Sequence, residues 1–149
     1  MTRADQTGAA LVVKRVLPVP REKVFAAWLD PASLAQWMRP GTVSAATVEV
    51  DPRVGGKFRI VMHRERDAGG DVEHWGEYLA IEPPIRLSFT WISVNTDRRP
   101  SVVTIELAEH GTGTELTLTH RQLPANQVDG HRRGWTEIVR KLEAALGKP

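Results

Sequence analysis

Residues 124–146, with the sequence PANQVDGHRRGWTEIVRKLEAAL, decide the fold. Their apolar residues recur at intervals of three and four, the spacing of one face of an α-helix. These residues are Trp135, Ile138, Val139, Leu142 and Leu146. Pro124 suits a helix start, because its missing N–H would be unpaired there in any case, and Gly147 suits the end. Gly134 lies inside the predicted helix at a cost of about 1 kcal/mol relative to alanine, which indicates that another group approaches the backbone there.

Alternating apolar and polar residues before this helix predict antiparallel strands with one covered and one wet face. The predicted strands are residues 11–17, 47–50, 57–63, 72–81, 86–92, 102–107 and 114–120. Two short helices, residues 21–29 and 32–38, are expected after the first strand, and Asp30 and Pro31 begin the second of them. A long amphipathic helix that follows a set of strands must lie across the sheet, so the expected class is α+β.

The composition favours one cytoplasmic domain. The chain has 149 residues, of which we expect residues 1–8 to be a flexible terminus and residues 9–147 to form a single domain. It contains no Cys, which excludes disulfides, thiolate catalysis and Cys zinc sites. No stretch has the apolar length of a signal peptide or of a membrane-spanning helix. The formal charge is only +2 and the basic residues are scattered, so we expect no nucleic-acid partner and no membrane insertion.

Motifs for metal, nucleotide or acyl-transfer chemistry are missing from the sequence. His63, His74 and His120 fall on different predicted strands, and no H-E-x-x-H pattern occurs. Neither G-x-S-x-G nor the phosphate-binding glycine motifs are present. We therefore expect no metal ion and no cofactor.

An ordered set of short motifs runs along the chain. It comprises VPREKVFAAW at residues 19–28, Asp30-Pro31, Trp37, DPRVGGKF at 51–58, GEY at 76–78, PPIRLSFTW at 83–91, GTELTLTH at 113–120, and Gly134-Trp135. From about Leu11 to Leu146, this set resembles the homologues of the activator of the heat-shock-protein-90 ATPase. That family lies within the SRPBCC superfamily, which is START-like and similar to the birch-pollen allergen.

The resemblance implies a helix-grip fold, in which a curved antiparallel sheet wraps around a long C-terminal helix and two short helices close one end. It also implies an apolar cavity between sheet and helix, which in this superfamily often takes lipids, sterols or polyketides. The eukaryotic activator resembles this chain only over its C-terminal domain and carries a further chaperone-binding domain. No room for such a domain precedes Leu11, so a chaperone partner is not expected.

Under this fold, a set of residues in phase with the inner faces becomes the candidate ligand-binding lining. It consists of Trp37, Phe58, Ile60, Met62, Trp75, Tyr78, Phe89, Trp91, Ile105, Leu118, His120, Trp135, Ile138, Val139 and Leu142. The alternative is an ordinary packed core, which has the same composition. The abundance of Trp favours a cavity, because large flat rings wall a cavity without filling it and stack on flat ligands.

His120 is the polar candidate of greatest interest, because it follows Leu116 and Leu118 in phase and therefore points inward. It could hydrogen-bond a ligand or act as an acid or base near neutral pH. The alternative, which we favour, is a buried imidazole bonded to a backbone carbonyl. The other histidines of interest are expected to be exposed to solvent: His63, His74 and His131.

Three functions remain open. The one we predict is a carrier, sensor or sequestering protein for a hydrophobic small molecule, with a cavity opening between residues 37–45, 64–71 and 93–100. The second is a polyketide cyclase-like or dehydratase-like enzyme that uses His120, Tyr78 and Glu73, although no constellation requires catalysis. The third is a protein-interaction module, which requires an exposed apolar patch. Either a monomer or a homodimer fits the sequence.

Overall fold

Seven antiparallel strands form one sheet in this computed structural model, which describes residues 9–147. The expected flexible terminus, residues 1–8, lies outside the described residues. The strands are β1 Ala9–Leu17, β2 Ala45–Val50, β3 Lys57–His63, β4 Val72–Glu82, β5 Arg86–Trp91, β6 Ser101–His110 and β7 Gly113–Leu123. Their order across the sheet is β1-β7-β6-β5-β4-β3-β2, so the first strand pairs with the last.

Three α-helices accompany the sheet: α1 Arg21–Ala27, α2 Pro31–Trp37 and α3 Val128–Leu146. The side chain of Asp30 caps α2 by accepting the backbone N–H of Ala32 at 3.1 Å, as the sequence predicted. The long helix begins later than expected, because the first turn after Pro124 is a short 3₁₀ helix, Ala125–Gln127. The β6–β7 hairpin is longer than expected, because its pairing continues to the turn.

Helix α3 lies across one face of the sheet and buries four of the predicted apolar residues, Trp135, Ile138, Val139 and Leu142. Helix α2 packs against β2 and α3. Phe58, Ile60 and Met62 of β3 all face the helix side, as alternation predicted. The predicted α+β helix-grip fold is therefore confirmed.

Strand β4 corrects the sequence interpretation at two residues. His74, Gly76 and Tyr78 face inward, whereas Trp75 lies on the outer face and is partly exposed. The reason is regular alternation from residue 74 to residue 78, since the register shift in this strand comes only after Tyr78. His74, which was expected to be exposed, is instead buried. An inward residue at position 76 must be glycine, because a Cβ there would lie 2.6 Å from the Phe58 ring.

Candidate functional site

A cavity of about 420 Å³ opens to solvent at one end of the space between α3 and the sheet. Its wall comes from the loop before β2, the β3–β4 hairpin, the end of β5 with the loop that follows, and the first half of α3. The lining residues are Pro40, Gly41, Thr42, Val43, Met62, Arg64, Val72, His74, Trp91, Asn95, Gln127, Gly130, His131, Arg133, Gly134, Trp135, Glu137 and Ile138.

Aromatic rings form the inner part of this wall. The Trp91 and Trp135 rings lie 5.0 Å apart between centroids, with their planes 56° apart. The imidazole of His74 lies 4.8 Å from the Trp91 ring at 34°, so the two rings are partly stacked. Met62 and Ile138 add aliphatic surface beside them. This combination of flat rings and aliphatic groups suits a flat or extended apolar ligand.

His74 is the polar group on this inner wall whose hydrogen bonding is incomplete. Its Nδ1 is fully buried and has no hydrogen-bond partner within the described part of the chain. Burial lowers the pKa of His74 to about 4, and the backbone groups of Ile60 and Val72 oppose that shift only in part. The imidazole is therefore neutral at pH 7. An unpaired polar atom that is shielded from both solvent and cavity costs free energy.

His131 is the second imidazole of the wall. Its Nδ1–H donates to the backbone oxygen of Gln127 at 2.8 Å, which leaves Nε2 as an acceptor. Its ring meets that of His120 edge to face, with centroids 5.1 Å apart. The expectation that His131 is exposed is wrong: it is half-buried, because it lies one helical turn before Trp135 on the same face of α3. Burial lowers the pKa of His131 as well.

His120 belongs to the core and not to the cavity wall. Its Nδ1 accepts the indole N–H of Trp135 at 2.9 Å, and its Nε2–H donates to the hydroxyl of Ser101 at 2.7 Å. Ser101 in turn donates to the backbone oxygen of Trp91 at 2.6 Å. Burial lowers the pKa of His120 to about 3. Both ring nitrogens are thus satisfied inside the protein, but their partners are the Ser101 hydroxyl and the Trp135 indole and not the backbone carbonyl expected from the sequence.

Charged groups surround the apolar part of the cavity wall. Arg64 donates through Nε to the backbone oxygen of Gly70 at 2.8 Å, which holds the side chain over the β3–β4 hairpin. Glu137 accepts the backbone N–H of Gly41 at 2.5 Å, so it ties the loop before β2 to α3. Arg133, on the first half of α3, also lines the wall. At Gly134 the nearest group to an added Cβ would be Pro40, at 3.9 Å, so the close approach expected there does not occur.

Of the fifteen candidate residues, the structure brings four to the cavity: Met62, Trp91, Trp135 and Ile138. Trp75 lies outside the interior. The other candidates pack as core: Trp37, Phe58, Ile60, Tyr78, Phe89, Ile105, Leu118, His120, Val139 and Leu142. The void left among the aromatic members of this group is about 10 Å³, enough for one water molecule at most. Much of the sheet–helix interface is therefore filled.

The groups named for the enzyme alternative do not meet at the cavity. Glu73 lies on the outer face of the sheet, where it pairs with Arg59 at 2.5 Å. Tyr78 is buried between Phe58 and Phe89, and burial, with a smaller contribution from Asp51, raises its pKa to about 12. His120 is enclosed by its own hydrogen bonds.

The sequence interpretation missed the polar part of the cavity wall. His74 could have been found from strict alternation with Gly76 and Tyr78, and His131 from its spacing of four residues before Trp135. Arg64, Asn95 and the loop before β2 carry no such periodic signal. They do fall within the three segments between which the cavity was expected to open.

Within residues 9–147, no group of three or more His, Asp or Glu side chains is arranged to hold a metal ion. Over the same described range, none of the helices has both the length and the apolar character needed to cross a membrane.

Residues 18–147 match the family described as Activator of Hsp90 ATPase homolog 1-like protein. The chain belongs to this family. The resemblance inferred from the ordered motifs is therefore confirmed. None of the curated proteins compared with this family member matches it.

Solved structures of similar proteins share the fold. Protein CV1439 from Chromobacterium violaceum is 26% identical with a TM-score of 0.80, and the match covers 95% of this chain and 99% of that one. Protein MLL2253 from Mesorhizobium loti is 30% identical with a TM-score of 0.74, over 93% and 97% of the two chains. PFC0360w from Plasmodium falciparum, described as an HSP90 activator, is 28% identical with a TM-score of 0.74, over 95% and 99%.

Proposed function

We propose that this protein binds a hydrophobic small molecule in the cavity between α3 and the sheet, and carries, senses or sequesters it. The observation that supports the proposal most directly is the cavity of about 420 Å³ with the rings of Trp91 and Trp135 in its wall. Ligand sites in proteins have volumes of roughly 300–1,000 Å³ and are mostly apolar with a few polar groups. Lipids, sterols and polyketide-like aromatics are the ligand classes that we infer.

The imidazole of His74 supports the same proposal. Its ring lines the cavity beside Trp91 and adds a polar group to a mostly apolar wall, as is common in ligand sites. Because the pKa of His74 is lowered to about 4, the imidazole is uncharged and does not oppose the entry of an apolar molecule. His74 would thus orient a ligand that the two indoles hold.

Binding without turnover is the better-supported form of this function. The three groups on which the cyclase-like alternative rested lie in the core or on the outer face. The description of the Plasmodium falciparum protein as an HSP90 activator concerns that protein. The small-molecule proposal is supported by the cavity between α3 and the sheet.

Thermal unfolding in the presence of fatty acids, sterols, flavonoids and polyketide-like aromatics tests this function. A ligand at 100 times its dissociation constant should stabilise the native protein by about 2.7 kcal/mol. Gly134→Leu introduces a side chain at the cavity wall and should abolish the shift. Ala144→Leu is the matched control, because it adds the same side chain at an exposed position of the same helix.

A shift that survives Gly134→Leu would place the ligand elsewhere and contradict the proposal. No shift with any member of the panel would also contradict it, and would direct attention to a macromolecular partner at the outer surface.

A further inference from the structure

The cavity wall carries two guanidinium groups that have no carboxylate partner in the described part of the chain. Arg64 and Arg133 both line the cavity. The ion pairs found among residues 9–147 use other arginines, and include neither of these two. Arg64 is positioned through Nε on Gly70 and packs beside Gly69, and its terminal nitrogens make no hydrogen bond within the described residues.

The carboxylate in the wall offsets only one of these two charges. Glu137 is already engaged by the backbone N–H of Gly41, on the side of the cavity formed by the loop before β2. His74 and His131 add no charge at neutral pH, because burial keeps both imidazoles uncharged. With Arg64 and Arg133 each contributing +1 and Glu137 contributing −1, the described cavity wall has a net charge of +1.

The two arginines lie on opposite sides of the cavity wall. Arg64 follows β3 and lines the sheet side together with Met62, whereas Arg133 belongs to α3 and lines the helix side together with Trp135. A ligand that fills the cavity between these two sides therefore lies between the two arginines. Guanidinium groups suit planar anions, because their N–H groups match the two oxygens of a carboxylate.

We propose that the ligand of this cavity is an amphipathic carboxylic acid. Its apolar body packs on the rings of Trp91 and Trp135, and its carboxylate pairs with Arg64 and Arg133. The proposal rests on the proposed function and narrows its ligand class from hydrophobic molecules in general to acids. Neutral sterols are disfavoured relative to aromatic or aliphatic acids of similar size.

The test compares 2-naphthoic acid with 2-naphthamide, two probes of nearly the same shape that differ in charge. Isothermal titration calorimetry at pH 7.5 and low salt should show about tenfold tighter binding of the acid. The preference should shrink as ionic strength rises, because salt screens partly exposed charges.

The double variant Arg64→Gln with Arg133→Gln should remove the preference, so that the acid binds no more tightly than the amide. The matched control is Arg121→Gln with Arg140→Gln, which removes the same charge from exposed positions outside the cavity wall. The control has the same net charge as the first variant but keeps Arg64 and Arg133. It should therefore keep the tenfold preference for the acid.

Three results would overturn the inference. Equal binding of both probes to the unaltered protein would disprove the charge preference and leave the binding function standing. A preference that survives the loss of Arg64 and Arg133 would show that these arginines do not recognise the acid. Failure of both probes to bind at millimolar concentration would contradict the acid proposal together with the cavity function.

Discussion

The indole N–H of Trp135 donates to Nδ1 of His120 at 2.9 Å, and this bond fixes which nitrogen of the imidazole carries the proton. Because Nδ1 is the acceptor, the proton is on Nε2, which points to the hydroxyl of Ser101. The series of hydrogen bonds ends at the backbone oxygen of Trp91, which accepts the Ser101 hydroxyl. Helix α3 and strands β5, β6 and β7 are thereby joined by three buried hydrogen bonds directly behind the rings that line the cavity.

Removal of the Ser101 hydroxyl should destabilise the protein substantially. Ser101→Ala leaves the Nε2–H of His120 without its acceptor and takes from the Trp91 oxygen the hydroxyl that donates to it, both in a fully buried place. We expect a loss of about 2 kcal/mol in the free energy of unfolding, measured in urea. Ser88→Ala is the control, because the Ser88 hydroxyl lies 3.3 Å from that of Thr104 at a half-buried site. Equal effects of the two substitutions would contradict the importance of the network.

Acid should destabilise the protein through its buried histidines. The pKa of His74 is lowered to about 4 and that of His120 to about 3, whereas an unfolded imidazole takes up its proton near pH 6.5. Between these values the unfolded state binds more protons, so stability must fall as pH decreases from about 6.5 toward 4. Each histidine should contribute a loss of about 2 kcal/mol between pH 7 and pH 5.

Urea unfolding at pH 7, 6 and 5 measures this dependence. The variant His74→Gln should lose part of the acid sensitivity, since it lacks one of the three imidazoles whose pKa is lowered by burial. Unchanged stability of the original protein from pH 7 to pH 5 would show that the imidazoles are not buried as described.

Gly134→Ala should stabilise the protein, in contrast to most substitutions of a buried or half-buried glycine. The added Cβ meets only Pro40, at an ordinary contact distance of 3.9 Å, and alanine favours helix over glycine by about 1 kcal/mol. We expect a gain of roughly 0.5–1 kcal/mol in the free energy of unfolding. A loss of stability by calorimetry would mean that the helix and the loop before β2 lie closer than they do here.

Gly76→Ala should have the opposite effect. A Cβ at this position of β4 would lie 2.0 Å from the backbone oxygen of Thr90 and 2.6 Å from the Phe58 ring. The backbone and the packed ring cannot both move away from the added Cβ. We therefore expect a loss of more than about 2 kcal/mol in the free energy of unfolding. Near-neutral unfolding energetics for this variant would argue against the tight packing of β4, β5 and Phe58.

The fold followed from the sequence because its main signals are periodic. Alternation located β3, and the spacing of Trp135, Ile138, Val139 and Leu142 located the buried face of α3. At β4 the sequence left the phase open, because Trp75 and Tyr78 are three residues apart and can share a face only if a bulge lies between them. The register shift comes after Tyr78, so Trp75 faces outward and His74 faces inward.

The cavity depends on how volumes fill the interior, and no periodic pattern records that. Phe58, Tyr78 and Phe89 interlock with ring centroids 5.4–6.3 Å apart and close the centre of the interface. At the end bounded by the loop before β2, the side chains leave the space of the cavity. Composition predicted an aromatic interior correctly, but it could not divide that interior into a packed part and an open part.

The two attachments between α3 and the loop before β2 have a consequence for protein engineering. Glu137 accepts a hydrogen bond from the backbone N–H of Gly41, and Lys141 donates one to the backbone oxygen of Arg39. The loop is therefore anchored to helix positions about one hundred residues later in the sequence. Consider a chimera that takes residues 39–44 from a relative but keeps its own residues at positions 137 and 141. It would receive the loop without the side chains that anchor it. Exchanges of ligand selectivity between members of this family should therefore transplant the loop and the polar side of the helix as a single unit.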